Sequence, residues 1–217
     1  MFSRGHEQIK YLPGILNLVL SRLTYFSLRN PITPLLVMGM GLILLAELYV
    51  LGYSESIFQY LFVANEEFTP GLLLAPLSHA TFYTHYVPNM IIFLWLGWPI
   101  EARLNRQQFL GFVATTAYLP TYLQVLYSVL TSGTAGSLGF SGVVYAVPPL
   151  LFCLTLLEDH SGEIGFGEKG NIALMFSVAI PLLMFGFFDS FSALPSAEIT
   201  HGVGYLSGLG YGLYLIR

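Results

Sequence analysis

Charge is the scarcest commodity in this sequence. Asp, Glu, Lys and Arg make up 9% of its 217 residues, where a soluble domain carries about a quarter. That excludes an ordinary soluble globular domain. Lys and Arg number only 8 and the net charge is -4, so no clustered cations offer a surface to nucleic acid. Cysteine is nearly missing too. Cys153 is the single one; it rules out a disulfide within the chain and reads as a small buried hydrophobe. Residues 1–10 lack the basic-then-apolar order of a signal peptide, so no cleavable targeting segment is expected. There is no internal repeat and no long low-complexity tract.

What fills the chain is apolar: 55% of it is hydrophobic and its mean hydropathy is +0.69. An integral membrane protein follows. Residues 1–30 read as a cytoplasmic segment whose later part, 11–30, carries Arg22 and Arg29 and suits an amphipathic helix on the membrane surface. Residues 31–217 read as one all-α, polytopic membrane domain. Its apolar runs lie at about 32–53, 84–102, 108–130, 141–157, 171–188 and 201–216, each near the roughly 20 residues that a bilayer asks of a helix. A bundle of six transmembrane helices is therefore expected. Pro120 is expected to kink the third. The connection 54–77 mixes aromatics with acids and is long enough to predict short amphipathic helices of its own.

Charge placement orients the bundle. With the N-terminus in the cytoplasm, Arg4, Lys10, Arg22, Arg29, Arg103, Arg106, Lys169 and Arg217 all fall inside, and the outer loops hold no Lys or Arg. Both termini are then cytoplasmic. Ser141, His201 and the pair His85 and Asn89 all begin helices that run from outside to inside. Polar groups from three separate helices thus share one depth below the outer surface. Ionisable residues in a membrane are costly, and a functional site is the default reading for them.

The chemistry available to that cluster is acyl transfer. A serine hydroxyl becomes a nucleophile only beside a base, and neutral histidine is the base suited to neutral pH. No Asp lies at the same depth on these runs, so Ser141 and His201 would act as a dyad. Tyr145 is one turn below Ser141 on the same face and could pack on the imidazole. Ser141 opens a helix, where free N–H groups and a positive dipole favour an oxyanion. Asn89 and His85 could add side-chain donors. Gly204 and Gly208 share a face with His201 and would let the last helix approach closely.

Three stretches together, Gly139-Phe140-Ser141-Gly142-Val143-Val144-Tyr145, His201-Gly202-Val203-Gly204-Tyr205-Leu206-Ser207-Gly208 and His85-Tyr86-Val87-Pro88-Asn89, resemble a rhomboid intramembrane serine protease. Gly97 and Glu101 are similar to a pair in that family's second span. The resemblance implies Ser141 as nucleophile, His201 as general base, and His85 with Asn89 at the oxyanion, in a cavity open to the outside. Tyr145, Gly139, Gly142, Gly204 and Gly208 would support them. His79 stands one residue further from His85 than the family's spacing, which leaves a structural place for it open. The first outer loop also lacks the Trp-Arg common in the family.

The expected function is a serine endopeptidase of the cell membrane that cuts transmembrane segments of other proteins. No metal or organic cofactor is implied, and the partners are substrate helices and the bilayer. Two other readings are a rhomboid-like chaperone that binds membrane helices without cutting them and a small transporter. The first would lack the Ser or the His; the second would trace polar residues across the membrane. The aromatics around Gly186, at the end of the fifth run, suit either a gate that tilts or ordinary interfacial residues.

Overall fold

The computed structural model describes residues 29–131, 136–159, 179 and 197–216. Among them the chain is helical, with one isolated antiparallel bridge. Helices occupy the first, second, third, fourth and sixth expected runs. The expected fifth run, the aromatics around Gly186 and nearly all of the N-terminal amphipathic segment lie outside the described residues.

Helix α1, Ile32–Tyr53, is apolar on every side, with Glu47 its one charged residue. Leu35, Met38, Leu42 and Leu45 are exposed, as suits a helix whose solvent is lipid. Its own sequence gives its N-terminus no side-chain cap. The carboxylate of Glu101 supplies one, accepting the Ile32 N–H at Oε1 and the Thr33 N–H at Oε2, both at 2.8 Å. A negative group at a helix N-terminus is favoured by its free N–H groups and dipole.

The first connection folds as expected. Helix α2, Glu55–Phe62, starts at the Ser54 cap and turns Phe58 and Phe62 inward. Helix α3, Gly71–Leu74, runs into a tight turn, Ala75–Leu77. The Tyr118 and Tyr122 hydroxyls donate to the Leu73 and Leu72 carbonyls at 2.9 and 3.1 Å.

The second run is helical but uneven. A wide turn, Phe82–Tyr86, leads into α4, Val87–Ile92; a second wide turn, Phe93–Gly97, leads into α5, Trp98–Glu101. Each wide turn precedes a proline, Pro88 or Pro99. Proline has no N–H for the carbonyl four residues back and its ring crowds that group, so the helix opens there.

Helix α6, Arg106–Leu130, begins at a reciprocal cap between Asn105 and Gln108 and runs unbroken through Pro120. Helix α7, Ser141–Asp159, is the centre of the domain. Every residue from 141 to 150 is buried, and Phe93, Ile100, Phe109, Phe112 and Phe140 pack around it. Helix α8, Ala197–Ile216, lies along α7. It begins four residues before His201, so His201 stands one turn inside the helix rather than at its start. By length and composition α1 and α6 are long and apolar enough to cross a membrane, and α7 holds a shorter apolar stretch, Ser141–Leu156.

Candidate active site

Ser141 is the first residue of α7, and the chain reaches it through a fixed approach. Ala64 and Ser137 exchange two backbone hydrogen bonds, at 2.9 and 2.8 Å, and the Gly139 N–H donates to the Ala75 carbonyl at 2.8 Å. The first connection is thus stitched to the strand of chain that delivers Ser141. Gly139 then turns the chain with φ of +129°, a conformation that side chains resist. A Cβ at Gly139 would lie 2.7 Å from His85 Nε2 and 3.7 Å from Ser141 Oγ. The imidazole and the hydroxyl therefore border the same small space.

The two glycines of α8 bring the histidine in. A Cβ at Gly204 would overlap the Gly142 carbonyl, and one at Gly208 the Ala146 carbonyl. Backbone meets backbone along this line, which only glycine permits. On its other side Gly142 faces the Thr116 carbonyl, 2.6 Å from where a Cβ would sit, and the Pro120 ring. Pro120 leaves that carbonyl without its helical N–H, so a bulk-free residue is needed against it.

His201 precedes Gly204 by three residues and shares its face, as Ser141 shares a face with Tyr145. The result is visible in the rings. The His201 imidazole is stacked on Tyr145, with centroids 4.0 Å apart and planes 12° apart. Ser141, Tyr145 and His201 are all buried. Imidazole and hydroxyl therefore belong to facing surfaces at one end of the α7–α8 pair.

The second run contributes from the other side, where α4 packs on α7. Asn89 follows His85 by one turn and is buried; its Nδ2 has no hydrogen-bond partner among the described residues. Such an amide costs about 1–3 kcal/mol, which a bound acceptor would recover.

His79 is fully buried, and the structure places it beside His85. The ring centroids are 5.1 Å apart, and Tyr86 meets His79 edge-on at 5.2 Å. Burial above all, with His85 adding to it, lowers the His79 pKa to about 3, so the ring is neutral. Between the two histidines the wide turn at 82–86 begins, and there the Tyr86 N–H reaches back to the Thr81 carbonyl at 3.0 Å. Glu47 accepts the His79 N–H, a link that no spacing in the sequence suggests.

No group of three or more His, Cys, Asp or Glu side chains suited to hold a metal occurs among the described residues. What the structure brings together is the Ser141 hydroxyl and the His85 ring at Gly139, and the His201 imidazole on Tyr145 one helical turn further along α7.

A family model for the rhomboid domain matches residues 68–217. No curated protein matches the chain. The matched region takes in the wide turns, the glycine approach to Ser141 and the whole of the α7–α8 pair. The chain belongs to the rhomboid family, and it is an integral membrane protein.

Proposed function

We propose that this chain is a serine endopeptidase that cuts transmembrane segments of other membrane proteins at a Ser141–His201 dyad. The observation that carries the reading is the pairing of α7 with α8. Glycine contacts at Gly204 and Gly208 bring the imidazole of His201 over the Tyr145 ring, one turn from the Ser141 hydroxyl.

Ser141 Oγ attacks the scissile carbonyl carbon while His201 takes the hydroxyl proton. The carbonyl oxygen becomes an oxyanion. The backbone N–H groups of Ser141 and Gly142 at the N-terminus of α7, the Asn89 Nδ2 and the His85 ring are the donors that would receive it. His201 then gives its proton to the leaving amine as the C–N bond breaks. Water, activated by the same histidine, releases the acyl group and restores Ser141. The flat stack on Tyr145 orients the base.

The site opens to the outside, both termini lie in the cytoplasm and the host is the cell membrane. This orientation rests on the confinement of Lys and Arg to the inner segments. A family member that only bound membrane helices would have no use for both Ser141 and His201. The test is purified protein in lipid vesicles with a model transmembrane substrate, beside Ser141→Ala and His201→Ala. Both variants are expected to stay folded and to lose cleavage. A fluorophosphonate should label Ser141 in the wild type. Near wild-type turnover in either variant would refute the dyad.

A further inference from the structure

Glu47 is a carboxylate near the end of an otherwise apolar helix, and it is 1% exposed. Burying it there costs several kcal/mol unless it is well used. Its Oε2 accepts the backbone N–H of His79 at 2.8 Å, across 32 residues of chain. Its Oε1 has no hydrogen-bond partner among the described residues. The docking of α1 does not account for it. That helix is already held by the Glu101 cap and by the Tyr86 hydroxyl, which donates to the Val37 carbonyl at 2.9 Å.

The N–H that Glu47 holds sits at a joint. Ser78 is extended after the tight turn Ala75–Leu77, and the helical turns of the second run begin only at Phe82. No helix supplies an acceptor for the His79 N–H at that point. The His79 side chain is fully buried and packs on the His85 ring, and His85 Nε2 faces Gly139 beside the Ser141 hydroxyl. Side chains in so tight a core cannot shift singly.

We propose that Glu47 is a positioning residue for the oxyanion side of the site: by fixing the backbone of His79 it sets the His85 ring against Gly139. The role rests on the proteolytic reading above. Glu47 touches no reacting atom, and its effect passes through the two imidazoles.

The test uses full-length protein in vesicles, with Glu47→Leu and Glu47→Gln each made in the wild-type and His85→Ala backgrounds. Glu47→Leu is expected to lower kcat about tenfold or more, because small misplacements of reacting groups are costly. KM should stay within about twofold, since ground-state binding is not altered. Glu47→Gln keeps an oxygen that accepts the His79 N–H and should hold kcat within about threefold of wild type. In the His85→Ala background Glu47→Leu should cost nothing more, because the pair acts as one unit. Should Glu47→Leu fail to fold, Glu47→Asp replaces it; the charge stays but the shorter side chain cannot reach. Equal losses in both backgrounds, or an unchanged kcat per folded Glu47→Leu molecule, would overturn the proposal. Wild-type cleavage that Ser141→Ala abolishes separates these outcomes from failure of the protease reading. If the wild type itself neither cleaves nor reacts with fluorophosphonate, NMR of the isotope-labelled His85 ring decides. Its signals should move in Glu47→Leu and stay in Glu47→Gln; unmoved signals in Glu47→Leu would sink the idea.

Discussion

Asn89 shows at the scale of one residue what a site costs. Its amide is 2% exposed and its Nδ2 has no partner among the described residues. A core that served stability alone would place an apolar side chain there. A reserved donor makes sense if its acceptor appears only as a tetrahedral intermediate forms. Asn89→Ala is therefore expected to lower kcat about a hundredfold, as loss of one oxyanion donor does in other hydrolases. Its thermal midpoint should hold or rise, because an unsatisfied polar group leaves the core. Steady-state kinetics and a thermal melt read both effects. A defect confined to KM would remove Asn89 from the oxyanion. Residue types and spacing singled out Ser141, His201, His85, Asn89 and Tyr145 as candidates, because chemistry restricts which side chains can do the proposed work. The place of His79 was not readable, since its distance from His85 depends on a wide turn that closes one residue later than an α-turn.

At the scale of elements, the α7–α8 pair is the part on which the rest depends. Gly204, Gly208 and Gly212 face Gly142, Ala146 and Cys153 in turn. A methyl group at Gly208 would run into the Ala146 carbonyl, and backbone cannot step aside as a flexible side chain can. Gly208→Ala should part the helices at their middle, lower the thermal midpoint and slow cleavage. Gly210 is the control on the same helix: it is exposed, and a Cβ there meets nothing within 4 Å among the described residues. Gly210→Ala should leave cleavage unchanged and raise stability by up to about 1 kcal/mol, the usual gain over glycine in a helix. If both substitutions behaved alike, the close approach would not be what seats His201. The glycine spacing was legible because helix period fixes which residues share a face. The partner atoms were not, because they are carbonyl oxygens, which every residue carries.

At the scale of the molecule the question is which end of the bundle meets the outside. Ser137, four residues before Ser141, is buried and paired with Ala64. Glu66, in the first connection, and Gln107, at the start of α6, are exposed instead. In a Cys153→Ser background, cysteine placed at Glu66 should react with an impermeant thiol reagent added to intact cells. Cysteine placed at Gln107 should react only after lysis. The reverse pattern would invert the topology and turn the proposed dyad toward the cytoplasm.

Membrane character, helical class, most helix positions within a few residues and the family were all legible along the chain. These follow from local quantities: the scarcity of charge, the length of apolar runs and the spacing of a few polar residues within one turn. How the ends of the elements are tied together emerges only once the helices pack. Glu101 caps α1 across 69 residues, Glu47 holds His79 across 32, and Ala64 and Ala75 pair with the chain that leads to Ser141. In each case one partner is a backbone N–H or carbonyl. Such groups are the same at every position, so no pattern of side chains marks which one a distant residue will meet; the packing of the helices makes that choice.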